Sequence, residues 1–200
     1  MIRNIASQSQ GMSSNAFLVT PDGDADGRTV LVDAGANFDA VEAVREAVGD
    51  LDAVVLTHTH PDHVGNVDAV REAFDVETWG YVPDREAVDN AVADGDVVRI
   101  GAHDYRALFT PGHATDHLCL YAAEAGILFA GDLVFANGGF GRTDFEGGDR
   151  ETLIESIDRV LETVREGGLE QLHTGHGPSA LADDDPLAHV ERARRAAQTF

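Results

Sequence analysis

Leu56-Thr57-His58-Thr59-His60-Pro61-Asp62-His63 sets four potential metal ligands directly behind an apolar run, Ala53 to Leu56, that reads as a strand. Pro61 biases His60 toward extended backbone, so His58 and His60, two apart, project to one side. Pro61 also suits the first turn of a helix, and Val64, Val67, Val70 and Phe74 then share one helical face. Asp62 and His63 fall at the start of that helix. Two imidazoles from a strand end, with a carboxylate and an imidazole from a helix start, can converge on one small volume. Their N and O donors are those that zinc, iron or manganese accept.

Three more polar residues sit in Gly-containing turns after apolar runs: His113 after Thr110-Pro111-Gly112, Asp132 after Phe129-Ala130-Gly131, and His176 within Thr174-Gly175-His176-Gly177-Pro178. Glycine lets backbone and metal approach closely, and strand ends are where sites are usually assembled. Further strands are expected at Ala16 to Val19, Thr29 to Val32, Thr78 to Val82, Val97 to Ile100, Tyr105 to Phe109, Leu118 to Tyr121 and Ile127 to Ala130. Turns are expected at Asp22 to Gly27, Gly101 to Asp104 and Glu124 to Gly126. Helical faces are formed by Phe38, Val41, Val44 and Val48, by Leu153, Ile154, Ile157, Val160, Leu161 and Val164, and by a final helix from about Pro186 to Gln198. Hairpins interspersed with single helices predict an antiparallel or mixed sheet with helices on its outer faces.

The chain has 200 residues and 43% hydrophobic content, enough for one buried core, so a single domain over 1–200 is expected. Thirty-six acidic residues against 14 basic ones give a net charge of -22, which ordinarily argues against nucleic acid and anionic membranes. Every basic residue is Arg, and no Lys occurs. Such acidic, Lys-free compositions resemble those of proteins from salt-loving archaea, where molar salt cuts the Debye length to about 3 Å. The charge then reports the solvent rather than a partner. The melting temperature is expected to rise substantially from low to molar KCl, and a flat curve would remove the halophile inference. Cys119 alone can form neither an internal disulfide nor a Cys-based zinc site, and its strand-like alternation reads as packing. The start lacks an apolar signal region, and no run approaches the roughly 20 apolar residues of a membrane span, so a cytoplasmic protein without a membrane partner is expected. There is no Gly-x-Ser-x-Gly elbow, and a phosphate loop of the Gly-Lys-[Ser/Thr] type cannot exist without Lys.

His-x-His-x-Asp-His followed by a lone His, a lone Asp and a final His resembles the pattern of the metallo-β-lactamase-fold superfamily, and the match runs from His58 to His176. The resemblance implies an α/β fold, a four-layer αββα sandwich with the site along one edge. Carried over, His58, His60 and His113 bind one metal, Asp62, His63 and His176 bind the second, and Asp132 bridges. The implied cofactor is a pair of divalent ions, zinc first, with iron or manganese as alternatives. Two such ions roughly 3.5 to 4 Å apart can share a water and bring its pKa toward neutrality, so hydroxide is the expected nucleophile, with Asp62 and Asp132 as the catalytic carboxylates. Asp33, in Val32-Asp33-Ala34-Gly35, matches a second signature of the family as an orienting carboxylate; its other reading is a turn or helix-start Asp. His117 reads as a support rather than a ligand, because the ligand positions are already filled.

Gly138 to Asp149 resembles the loop shared by small glyoxalase II-like thioester hydrolases and persulfide dioxygenases. Within it Arg142 and Phe140 are the candidate substrate-binding residues; Arg142 either meets a substrate carboxylate or fixes the loop through backbone contacts. Asp149 also fits as the N-cap of the helix that follows. Only 24 residues follow His176, too few for the helical domain with which full-length glyoxalase II enzymes bind glutathione. The dioxygenases use one iron held by the equivalents of His58, His113 and Asp132, whereas here His176 keeps a second-site ligand. The expected function is a dinuclear metal-dependent hydrolase of a thioester, hydroxyacylglutathione hydrolase-like, or of a similar small acyl substrate. A ribonuclease or exonuclease of the same superfamily is one alternative, through the resemblance of Pro111 to His117, although the chain shows few aromatic or Arg clusters for stacking on bases. The mononuclear-iron dioxygenase is the other. β-Lactam hydrolysis is disfavoured by Asp62, where the zinc β-lactamases generally differ.

Overall fold

Apolar residues on both faces of nearly every central strand require cover on both sides. The computed structural model, which describes residues 1–6, 9, 11–23, 26–81 and 86–199, supplies it with two sheets and two helical layers. The first sheet has the order β1 (Ile2–Asn4), β2 (Phe17–Val19), β3 (Val30–Val32), β4 (Ala53–Val55), β5 (Thr78–Gly80), β6 (Asn90–Ala91). The second runs β12 (Ala180–Leu181), β11 (Gln171–His173), β10 (Ile127–Phe129), β9 (Leu118–Ala122), β8 (His103–Phe109), β7 (Val97–Ile100). Phe17, Val32 and Val55 face Tyr105, Leu118, Leu120 and Phe129 across the inter-sheet core. The alternate residues Leu18, Leu31 and Val54 pack with Val44 of α1 (Ala40–Ala47) and with Val67 and Val70 of α3 (Val67–Phe74). On the other side, Leu108, Cys119 and Leu128 meet Leu153, Ile157 and Val160 of α4 (Arg150–Gly167) and Val190 and Ala193 of α5 (Pro186–Thr199). The result is the expected four-layer αββα sandwich. Burial pushes the Cys119 thiol up to about 12, in keeping with a packing role.

Both sheets are mixed. β3 pairs parallel with β4, and β10 with β11, so the C-terminal ends of each pair emerge at the same edge. Asp33, His58, Asp132 and His176 all follow those ends.

Several expectations are corrected. The helix read through Val64 and Phe74 is two: α2 (Pro61–Val64) stops, and α3 starts at Val67. The Asn66 amide donates to the Gly35 carbonyl (3.1 Å) and its side chain to that of Ala34 (3.0 Å), which takes the backbone out of helical pairing. At Gly65 a Cβ would sit 2.7 Å from that of Ala36, so the break also brings this turn close to the loop after β3. β2 starts at Phe17 and β5 ends at Gly80; Val82, and residues 24 and 25 of the expected Asp22 to Gly27 turn, lie outside the described residues. His103 opens β8 rather than standing in the turn. β1, β6 and β12, of two or three residues each, carry too little periodicity to read.

His173 is buried in the sandwich, its ring 5.1 Å from those of both Phe17 and Phe129, and burial lowers its pKa to about 4. An unfolded chain takes up this proton near 6.5 whereas the folded one does not until about 4, so between those values the unfolded state binds more protons. Stability conferred by the neutral ring is therefore present above pH 6.5 and is lost as pH falls toward 4, by about 3 kcal/mol at most. Urea melts from pH 4.5 to 7 should show this slope reduced in His173→Leu; parallel slopes for both proteins would refute it.

Candidate metal centre

β4 delivers Leu56, Thr57 and His58 to the sandwich edge, and His60 takes the extended backbone expected before Pro61 (φ -65, ψ 147). Asp33, after β3, holds a left-handed backbone (φ 56), a conformation disfavoured for a non-glycine residue. In return its carboxylate accepts the Thr57 amide (2.8 Å) and hydroxyl (2.8 Å) and faces His63 Nδ1 at 2.9 Å.

This network fixes ring tautomers. The Thr57 hydroxyl proton goes to Asp33, so His58 Nδ1–H must donate to Thr57 Oγ1 (3.1 Å), leaving Nε2 with its lone pair. His63 donates through Nδ1 to Asp33, and His113 through Nδ1 to the Arg142 carbonyl (2.8 Å), and each likewise presents Nε2. These freed nitrogens converge. His60 Nδ1 stands 3.0 Å from His58 Nε2 and 2.9 Å from His113 Nε2, and can donate one proton to only one of them. Three imidazole nitrogens at this spacing, two already committed as acceptors, call for a shared cation.

The second grouping is of the same kind. The donor atoms of Asp62, His63 and His176 lie within 4.8 Å of one another, as do those of His58, His60 and His113. Asp132 stands between the groups, Oδ2 3.3 Å from His176 Nε2 and 3.5 Å from His113 Nε2, Oδ1 3.4 Å from His63 Nε2. His63 Nε2 and Asp132 Oδ1 are buried without a hydrogen-bond partner, an arrangement costly in a buried site unless a further group completes it. The donor set therefore fits a pair of divalent ions.

Electrostatics agree. Burial pushes His58 well below its ordinary pKa, and His60 and His113 also down, so these rings are neutral donors. Burial also opposes ionisation of Asp132, but His176 and His63 hold it well below the usual carboxylate range, and a hydrogen bond from His176 lowers Asp62. Burial opposes charge on His63 too, yet Asp33 and Asp132 raise it to about 10. Bonds to Asp132 and Asp62 raise His176 to about 9. Without metal, the second grouping thus holds positive charge in the form of protons.

His117 sits behind Asp132, not beside it: its Nε2 accepts the Asp132 amide (3.0 Å) and Nδ1 faces Thr110 Oγ1 (2.8 Å), so neither nitrogen is free to ligate. Burial lowers its pKa to about 3, consistent with a neutral support. Arg142 contributes its carbonyl to His113, while its exposed guanidinium binds Asp144 (2.9 and 3.0 Å). Phe140 packs against the helix-side core under the Arg150 guanidinium (4.4 Å), away from the expected substrate face. The rings beside the ligands are others: Phe145, 5.4 Å from both His60 and His113, and Phe135, 6.1 Å from His176. Phe145 belongs to the Gly138 to Asp149 stretch and Phe135 lies three residues before it, but nothing in periodicity distinguishes them from Phe140. Asp149 caps α4 by accepting the Thr152 amide (2.7 Å). Thr59 Oγ1 donates to buried Asp116 (2.6 Å), a tie between the His58–His60 and His113 loops that only the folded chain reveals.

The sequence matches the metallo-beta-lactamase superfamily profile over residues 10–167. The chain belongs to that superfamily. The hydroxyacylglutathione hydrolase of Chromohalobacter salexigens is 36% identical over 186 residues, covering 86% of this chain and 71% of that protein. Among solved structures, the di-iron-bound form of TTHA1623 is similar with a TM-score of 0.72 and 28% identity, covering 88% of this chain and 94% of that one. The BLEG-1 B3 metallo-beta-lactamase is similar at a TM-score of 0.76 and 25% identity, covering 92% and 96%. With this membership and its converging donors, the superfamily protein is a metal-dependent hydrolase. No helix among the described residues is long and apolar enough to cross a membrane.

Proposed function

We propose that this protein hydrolyses small acyl thioesters at a dinuclear metal centre. The observation that carries the reading is Asp132, one carboxylate whose oxygens face His113 of the first grouping and His63 and His176 of the second. His58, His60 and His113 would hold one ion, zinc being our first assignment, and Asp62, His63 and His176 the other, with Asp132 between. Bound there, the ions would supply Lewis acidity and a water acidified toward neutral pH.

The chain's own residues set the conditions. Asp33, Thr57 and the Arg142 carbonyl fix the rings so that Nε2 points inward. Phe145 and Phe135 flank the two groupings and would offer apolar surface to a bound acyl group. Asp62 and Asp132 are held ionised and so cannot act as proton donors near neutral pH. A leaving group that must be protonated is poorly served by such carboxylates. A thiolate, whose conjugate acid ionises near about 8.5, leaves without that help. The relatives described as hydroxyacylglutathione hydrolases, at 35% and 36% identity over 84% and 86% of this chain, support the same substrate class.

The test is a substrate panel in molar KCl. Turnover of S-lactoyl or related acyl-thiols, lost on chelation and restored by metal, is expected. RNA or single-stranded DNA cleaved with no thioester turnover would move the protein to the nuclease alternative. One iron per chain with oxygen consumed on a persulfide would move it to the dioxygenase.

A further inference from the structure

The loop before β2 reaches the second metal grouping without supplying a ligand to it. Asn15 Nδ2 donates to two carbonyls of the turn that carries His176, those of Thr174 (2.7 Å) and Gly177 (2.8 Å). Its backbone amide donates to a third, Gly175 (2.7 Å). Asn4 Nδ2 in turn donates to Asn15 Oδ1 (2.7 Å), which orients the amide. One residue earlier, the Ser14 amide donates to the Asp62 carbonyl (3.1 Å). Residues 14 and 15, in the loop before β2, thereby tie Asp62, on α2, to the His176 turn, which follows β11 of the second sheet. Asp62 Oδ2 and His176 Nε2 stand 3.2 Å apart across that tie.

The first grouping is braced elsewhere. Its cross-sheet ties run through Thr59 Oγ1 to Asp116 (2.6 Å) and from the Leu118 amide to the Thr57 carbonyl (2.7 Å). Asp33 serves both groupings, through Thr57 and through His63, but the braces between the loops of the two sheets are separate for each.

We infer that Asn15 is a positioning residue for the second metal subsite alone, so that its amide determines whether the centre holds one ion or two. This rests on the dinuclear reading. The physical basis is geometric: His176 lies in the turn between β11 and β12, outside their paired residues. Apart from the bond of the Gly175 amide to the Gly131 carbonyl, the ties from the first sheet's side to the carbonyls of Thr174, Gly175 and Gly177 all come from Asn15. With Asn15 replaced by Asp, the side chain keeps its volume but presents oxygens to two carbonyl oxygens. The turn is then repelled rather than held, and His176 moves relative to Asp62 and His63.

Calorimetric titration of the metal-free protein with Zn2+ is the direct test, because it reads each subsite without requiring turnover. The wild type is expected to take up two equivalents. In Asn15→Asp one of the two steps should lose about 10- to 100-fold in affinity, the range typical for an outer partner of a metal ligand, with the other step unchanged. Thr59→Val should do the reverse and weaken the first-grouping step. Should Asn15→Asp fail to fold, Asn4→Ala leaves Asn15 in place but removes the donor that orients it, and is expected to weaken the same step by a smaller factor. Two equivalents bound with wild-type affinities by the folded Asn15 or Asn4 variant overturn the inference and leave the dinuclear reading intact. Equal weakening of both steps also overturns it, since the brace would then be general. A wild type that binds one equivalent overturns both.

Discussion

Asp132→Ala is expected to abolish measurable turnover, a fall on the order of 1,000-fold or more, and to empty both metal subsites. Altering a residue that merely supports a ligand typically costs about 10- to 100-fold in metal affinity. Asp132 is placed to contribute to two groupings at once, with His113 at 3.5 Å on one side and His63 and His176 at 3.4 and 3.3 Å on the other. Its loss also removes the charge that, with Asp33 and Asp62, favours a cation among six histidines, His117 included. Asp132→Asn separates charge from shape. The amide has nearly the same volume and leaves the backbone bond to His117 in place, so a comparable loss in Asn and Ala identifies the carboxylate charge as the cause. His176→Ala, by contrast, should lose mainly one ion. Elemental analysis beside kcat/KM decides: two ions per chain and kcat/KM within tenfold of wild type for Asp132→Ala would remove Asp132 from the centre.

The strands that form the core were readable because their residues are apolar on both faces and their ends are marked by Gly or Pro. So were the seven converging side chains, since spacing and Gly-containing turns place them at strand ends before any contact is known. The interruption at Gly65 and Asn66 was not, because Val64, Val67 and Val70 keep helical spacing across it; the cause is a bond from Asn66 to Gly35, far away in sequence. Substrate-side residues were equally hidden. Phe140 and Phe145 stand in one Gly-rich stretch, and only the folded path turns one toward the core and the other over His60 and His113. Asn15, Thr59 and Asp116 act through partners from other elements, and such pairing leaves no periodicity to detect. Local pattern reports burial, while support of a ligand depends on which loops meet.

Gly175→Ala is expected to cost the second ion and about 100- to 1,000-fold in turnover, although it adds a single methyl group. Gly175 does not require a left-handed backbone, so its reason for being glycine is space alone. A Cβ there would overlap Asp132 Oδ1 and stand 2.8 Å from His63 Cε1. The backbone cannot back away, since the Gly175 amide donates to the Gly131 carbonyl (2.7 Å) and its own carbonyl accepts from Asn15 (2.7 Å). Nor can His63, which is fully buried and held by Asp33. The strain falls on the Asp132 side chain, whose displacement disturbs the ligand set. Overpacking of this kind costs about 1 to 3 kcal/mol, which for a chain of this size lowers the melting temperature by roughly 3 to 10 °C. Gly177→Ala provides the contrast. Gly177 has φ 76, but a Cβ there would meet nothing within 4 Å. It should lower stability through backbone strain by about 1 kcal/mol and keep both ions. If Gly175→Ala binds two ions and turns over like the wild type, the turn must have room to relax that the structure does not show, and the close approach of Gly175 to Asp132 has no part in forming the site.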